Sequence, residues 1–280
     1  EHRLFLTATP HNGYQESFAS LLELLDDQRF ARGVMPDEKQ LYRVMVRRLK
    51  TGIVDENGDP IYPKRELLPL DVDYTPEERE LHRLLKDCTE SRAKTVSGTS
   101  AAFGTDFIHK LLKKRLFSSP IAFALTLSKH RQTRARGEPG PGKRTFKERI
   151  LRKAILRTEE DYADDSLVEE AQAEAVEAAT ELSAPLTDDH RGMLEKLASW
   201  ADGAKSRADS KAEAIFSWLE AHLETDGDWN DKRVILFTEY RATHSWLLEL
   251  LTSKGWGGER LMALHGGMDP CVEGRLKADE

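Results

Sequence analysis

The sequence predicts an α/β protein, an incomplete pair of doubly wound lobes joined by a large helical linker or insertion. Three observations carry this. A strand–loop–helix pattern opens the chain at Arg3, a β-α-β pattern occupies Arg233–Leu264, and the region between is dominated by helical stretches. A parallel strand is buried on both faces and needs neighbours on both sides. The first run, Arg3–Thr7, finds its next counterpart only at Arg233, so each sheet is expected to lack most of its strands.

Arg3–Thr7 (RLFLT) is a short apolar run closed by Ala8-Thr9-Pro10, and Phe18, Leu21, Leu22, Leu24 and Leu25 then recur at helical spacing. Leu41–Leu49 reads as helical or extended with a basic edge, and Asn57-Gly58 marks a turn. In Tyr74-Thr75-Pro76-Glu77-Glu78, Thr75 can cap a helix whose first residue is Pro76, with both glutamates at the positive end of its dipole. A second helical stretch covers Phe107–Leu127 with a break at Ser119-Pro120, and Lys110, Lys113, Lys114 and Arg115 are expected on its outer faces. Lys129–Lys147, with Gly137, Pro139, Gly140, Pro141 and Gly142, reads as a linker, and acidic, alanine-rich Glu159–Glu181 as a solvated helix. From Asp209 onward, Ala214, Ile215, Trp218 and Leu219 form one stripe that ends near Leu223. Arg233–Thr238 (RVILFT) is expected as a buried strand, His244–Leu251 as a helix, and Leu261–Leu264 as a strand ending at His265-Gly266-Gly267-Met268.

Bulk properties narrow the function classes. The 280 residues are 39% hydrophobic and 32% charged with a net charge of −7, which allows a real core and rules out a uniformly basic nucleic-acid binder. Any nucleic-acid contact is therefore local. The two cysteines, Cys88 and Cys271, have no zinc or disulfide spacing, and no apolar run is long enough to span a membrane, so a cytoplasmic protein without a metal site is expected.

Two loops carry candidate chemistry. Thr7 and Thr9 at the carboxyl end of the first strand can sense a phosphate, or Thr9 can simply cap the following helix. Thr238 at one strand end and His265, Gly266 and Gly267 at the next suit close backbone approach to an anion, or a plain chain reversal. The basic residues Lys110–Arg115, Lys129, Arg131, Arg134 and Arg136 can meet phosphates or form an ordinary solvated flank. GEPGPGK at Gly137–Lys143 satisfies GxxxxGK, but Arg144 stands where Ser or Thr is required and no strand precedes it, so it reads as linker.

Taken in order, TATPHNG, MVRRLK, LDVDYTPEERELH, KKRLFSSP, DSKAEAIFSWL, VILFTEY and LHGGM resemble the SNF2-like (superfamily 2) bacterial DNA helicases and translocases, from about Arg3 to Met268. The likeness is to the branch that includes the RNA-polymerase-recycling ATPase and helicases beside phage-defence and restriction genes. It implies two RecA-like lobes: residues 1–30 would end the first, 31–130 would form a helical linker or insertion, 131–208 a basic Gly/Pro linker and acidic helical region, and 209–280 the start of the second. Thr7 and Thr9 would then be coupling residues of motif III, and Thr238, His265, Gly266 and Gly267 would contact the DNA backbone. The resemblance further implies double-stranded DNA as partner, with ATP and Mg²⁺ as cofactors of the complete enzyme and none bound by this segment. The phosphate-binding loop and DEAH box are expected upstream of Arg3, and motifs V and VI downstream of Glu280. A different class of function is a protein-interaction module, in which the helical middle docks RNA polymerase or a defence- or restriction-system protein without catalysis.

Overall fold

A computed structural model of the chain describes residues 3–7, 10, 15–96, 99–136, 147–153, 165–266 and 268. They are mostly helical and divide into two compact units, Glu1–Pro69 and Leu70–Glu280.

In the first unit, Arg3–Thr7, expected as a strand, joins no sheet among the described residues and is exposed, and the Arg3 guanidinium donates to Leu24 O at 2.5 Å. Helix α1 (Gln15–Leu25) buries Ala19 and Leu22. Helix α2 (Glu38–Val44) is capped by the Asp37 side chain and gives way to extended chain at Met45, so the basic stretch is helical only in its first half. Beyond it, an isolated antiparallel bridge joins Val54 to Pro60. The enclosed turn is built by Asp55 Oδ1, which accepts from the backbone N–H of Asn57 at 2.9 Å and Asp59 at 2.8 Å, and by Gly58 at φ +90°.

The second unit is organised by α3 (Pro76–Thr95), α4 (Thr99–Ser118), α5 (Pro120–Ala135), α6 (Asp165–Leu182) and α7 (Asp188–Ala204). Thr75 caps α3 as anticipated, and Glu78 returns its carboxylate to the Thr75 N–H at 2.8 Å, completing a capping box. Ser119 caps α5, and Pro120 supplies the fixed φ of its first turn, so one short break converts a long apolar stretch into two antiparallel-capable helices. Leu85, Ile108, Leu112, Phe123, Leu127 and Leu197 are fully buried in the core these helices share.

Two expectations fail here for a common reason. The acidic, alanine-rich stretch is not a solvated helix where it is described: α6 packs against α4 and α5, burying Ala171, Ala175, Val176, Ala178, Ala179 and Leu182. Its glutamates sit on the remaining stripe, where Glu177 pairs with Lys129 at 3.1 Å and Arg136 at 3.2 Å. The linker expected from Lys129 likewise begins too early, because α5 continues to Ala135 with His130 and Thr133 on its buried face. Small residues let helices approach closely, so alanines that look neutral by hydropathy become core. Gly104 on α4 takes this to its limit, since a Cβ there would stand 2.8 Å from both Ala179 O and Leu182 Cβ. The GEPGPGK segment and Glu159–Asp164 lie outside the described residues.

After α7, Asp209 caps α8 (Ser210–Leu223), a two-residue hairpin pairs β1 (Glu224–Thr225) with β2 (Asp228–Trp229), and α9 (Arg241–Ser253) packs back on α8. The hairpin turn Asp226-Gly227, at φ 55° and 86°, adopts the doubly left-handed geometry that Asp-Gly favours. Arg233–Thr238 and Leu261–Leu264, expected as buried strands, have no regular secondary structure and enter no ladder among the described residues. Val234 and Leu261 pack against the α8–α9 cluster, whereas Ile235 is 75% and Phe237 92% exposed. Leu236, Met262 and Leu264 are exposed as well, so these runs lack the pairing and second layer that would bury them.

Candidate functional site

The carboxyl ends of these two runs converge. Thr238 and His265 line the same cavity of 90 Å³, together with Arg115, Glu169, Gln172, Glu239, Tyr240, Arg241, His244 and Leu264. Of the anticipated residues, these two are therefore brought together. Gly266 follows directly, its carbonyl 2.9 Å from His265 Nδ1, and the His265 backbone N–H reaches Met268 Sδ at 3.4 Å. Thr7 lies in the first unit on an exposed segment. Thr9 and Gly267 lie outside the described residues.

Side chains from the helical bundle hold this corner. Arg115, near the end of α4, places its guanidinium over the Tyr240 ring at 3.7 Å and donates to Gln172 Oε1 from α6. This corrects the expectation of an outward-facing Arg115, whose burial lowers its pKa. Stacking lets the flat cation lose water while keeping an attractive partner. On the other side of the stack, burial and the adjacent Glu239 push the Tyr240 phenol up to about 12. His244 and His265 meet edge to face, with ring centroids 5.7 Å apart.

A second set of contacts ties the α4–α5 break to the first turn of α9. The Ser118 and Ser119 hydroxyls each lie 2.7 Å from Thr243 Oγ1, and Ser119 Oγ also accepts from the Ala122 N–H. Lys211, in the first turn of α8, donates its ammonium to the carbonyls of Phe117 (2.5 Å) and Ser118. A cation on the carbonyls at a helix end meets the negative pole of the dipole. Desolvation lowers the Lys211 pKa. One carboxylate serves two helix starts nearby: Glu78 accepts from the Ser210 N–H at 2.9 Å and from its hydroxyl, as well as from Thr75. Burial opposes ionisation of Glu78, yet these four donors hold its pKa below the ordinary range.

Sequence reasoning missed Arg115, Tyr240, Thr243, His244, Lys211 and Glu78 as parts of one assembly. Arg115 and the two serines stand in KKRLFSSP, Lys211 in DSK and Tyr240 in VILFTEY, so the signal was present in the motifs. Their partners are distant in sequence, and that distance is what a linear pattern does not reveal.

The remaining basic residues are largely engaged with acids. Lys110 pairs with Asp106 at 2.7 Å, Lys114 approaches Glu239 at 3.9 Å, and Arg131 pairs with Glu195 at 2.7 Å. With Lys129 and Arg136 already on Glu177, this surface reads as the ordinary ion-paired flank rather than a free phosphate-binding stripe. Among the described residues, no group of three or more His, Cys, Asp or Glu side chains is placed to hold a metal ion, and no helix is long and apolar enough to cross a membrane. Comparison of the chain with family models, curated proteins and solved structures returned no match.

Proposed function

We propose that this chain is part of an ATP-dependent SNF2-like DNA translocase, in which ATP hydrolysis drives movement along double-stranded DNA. The observation that carries the reading is the meeting of Thr238 and His265 at the shared end of two apolar runs. In an open α/β sheet, ligands sit outside the carboxyl ends of the strands, and the convergence of Thr238 and His265 at the ends of their two runs supports that reading. The uncovered face of Ile235 and Phe237 supports a further layer of a RecA-like lobe supplied by chain outside these residues. ATP and Mg²⁺ would be held by a phosphate-binding loop and acidic box of the complete enzyme, and the 280 residues alone should not turn over ATP. Thr7 and Thr9 would couple nucleotide state to grip on DNA, and Thr238, His265, Gly266 and Gly267 would face the DNA backbone.

The test is ATP hydrolysis by the product of the complete reading frame that encodes these residues, with and without duplex DNA. DNA should stimulate turnover, and both Thr9→Ala and Thr238→Ala should depress the stimulated rate more than the DNA-free rate. A reading frame without an in-frame phosphate-binding loop, or turnover indifferent to duplex DNA, overturns the proposal. The self-closed core of α3 to α7 favours one alternative, an interaction module that docks RNA polymerase or a defence-system subunit without catalysis. Saturable binding of purified RNA polymerase by a protein devoid of ATPase activity would select it.

A further inference from the structure

We propose that Arg115 is a positioning residue for the corner where Thr238 and His265 meet, so that the helical bundle sets how that corner is presented to duplex DNA. The inference rests on the translocase reading and deepens it, because it gives the bundle a part in the grip on DNA. Arg115 comes from the last turn of α4 and lines the same cavity as Thr238 and His265. Its guanidinium lies 3.7 Å from the centroid of the buried Tyr240 ring and donates to Gln172 Oε1 on α6. Two bundle helices are thereby joined to the residue two places beyond Thr238.

The same stretch of chain is held a second time. The hydroxyls of Ser118 and Ser119, which follow Arg115 at the end of α4, each meet Thr243 Oγ1 at 2.7 Å. A segment pinned at Tyr240 and at Thr243 by one helix terminus has little freedom to turn Thr238 elsewhere. The next residue, His244, meets the His265 ring edge to face and carries the constraint to the second run. Placement matters here more than charge, because the cavity wall sets Glu169 and Glu239 against Arg115 and Arg241. Arg115 Nε is buried without a hydrogen-bond partner among the described residues. An unmet buried N–H costs stability, and such costs are typical where a side chain is held for its position. Only a planar guanidinium can lie flat on the ring while its edge donates to Gln172.

The test is ATP hydrolysis by the complete protein across a titration of duplex DNA, read as the half-stimulating duplex concentration and the duplex-saturated rate. Arg115→Lys keeps the charge that offsets Glu169 and Glu239 but loses the flat stack. It should raise the half-stimulating concentration about tenfold, by a larger factor than it lowers the saturated rate. Gln172→Ala frees the guanidinium from α6 and should raise that concentration about threefold; it decides the matter if Arg115→Lys fails to fold. Tyr240→Phe keeps the ring and should shift it by less than about threefold. Suppose the parent is stimulated by duplex DNA, but the half-stimulating concentration stays put in Arg115→Lys and Gln172→Ala, or only the saturated rate falls, as in a loosened fold. Either result overturns this inference and leaves the translocase reading standing. Turnover by the parent that ignores duplex DNA overturns both.

Discussion

Acidification perturbs two imidazoles at the heart of the bundle. His109 and His130 are 7% and 0% exposed. Burial, reinforced by the nearby arginines, holds their pKa values down to about 4 and about 3 against an ordinary 6.5. A histidine whose folded pKa is depressed stabilises nothing by its charge. The unfolded chain takes up the proton first, so stability falls as pH drops below the unfolded value and stops falling only at the folded one. Each pH unit in that window costs about 1.4 kcal/mol per group, so about pH 5 should cost about 2 kcal/mol for each histidine and about 4 kcal/mol together. That is a large share of the 5 to 15 kcal/mol by which domains of roughly this size are usually stable. Carboxylates held low, such as Glu78 and Glu177, lose their contribution only below their ordinary value of 4.5, outside the window. His82 and His190 are shifted in the same direction as the central pair and steepen the loss. Urea denaturation followed by far-ultraviolet circular dichroism at about pH 8, 6.5 and 5 measures it, with the double variant His109→Gln/His130→Gln as control. A midpoint unchanged between neutral pH and about pH 5, or a double variant as acid-sensitive as the parent, refutes the reasoning.

Gly104→Ala should destabilise the second unit by about 1 to 3 kcal/mol despite alanine's better helix propensity, because the new Cβ would meet the α6 backbone; a lower urea midpoint measures it. Glu78→Ala removes the acceptor shared by the starts of α3 and α8, and should cost about 1 to 2 kcal/mol, read the same way. Thr243→Val should cost about 1 to 2 kcal/mol, since it strips both serine hydroxyls at the α4–α5 break of their partner, and Ser119 is buried. Phe237→Lys should leave the denaturation midpoint within about 0.5 kcal/mol and reduce light scattering on concentration, because that ring is 92% exposed on an unpaired apolar run.

Much of the helical framework was legible because its signals are local. Thr75-Pro76 announces a helix start through a cap and a fixed φ, and Ser119-Pro120 does the same, so α3 and the α4–α5 break appear where the sequence placed them. The buried strand expected at Arg233–Thr238 is not borne out, since the run joins no sheet among the described residues and Ile235, Leu236 and Phe237 are exposed. Strand pairing was not legible, because a ladder is a relation between segments and no run of residues carries its partner within it. Charge patterning misled at α6, where acidic residues mark only one stripe of a helix whose alanines fill the core.

By itself, the sequence determined where α3 and α5 start and where the apolar runs that end at Thr238 and His265 lie, because capping and proline geometry act over a few residues. Only the tertiary structure decided that those two residues share a cavity, that Arg115 turns inward onto Tyr240, and that Glu78 serves two helices. Each of these depends on groups far apart in the chain, and their energies exist only once burial removes water from between them.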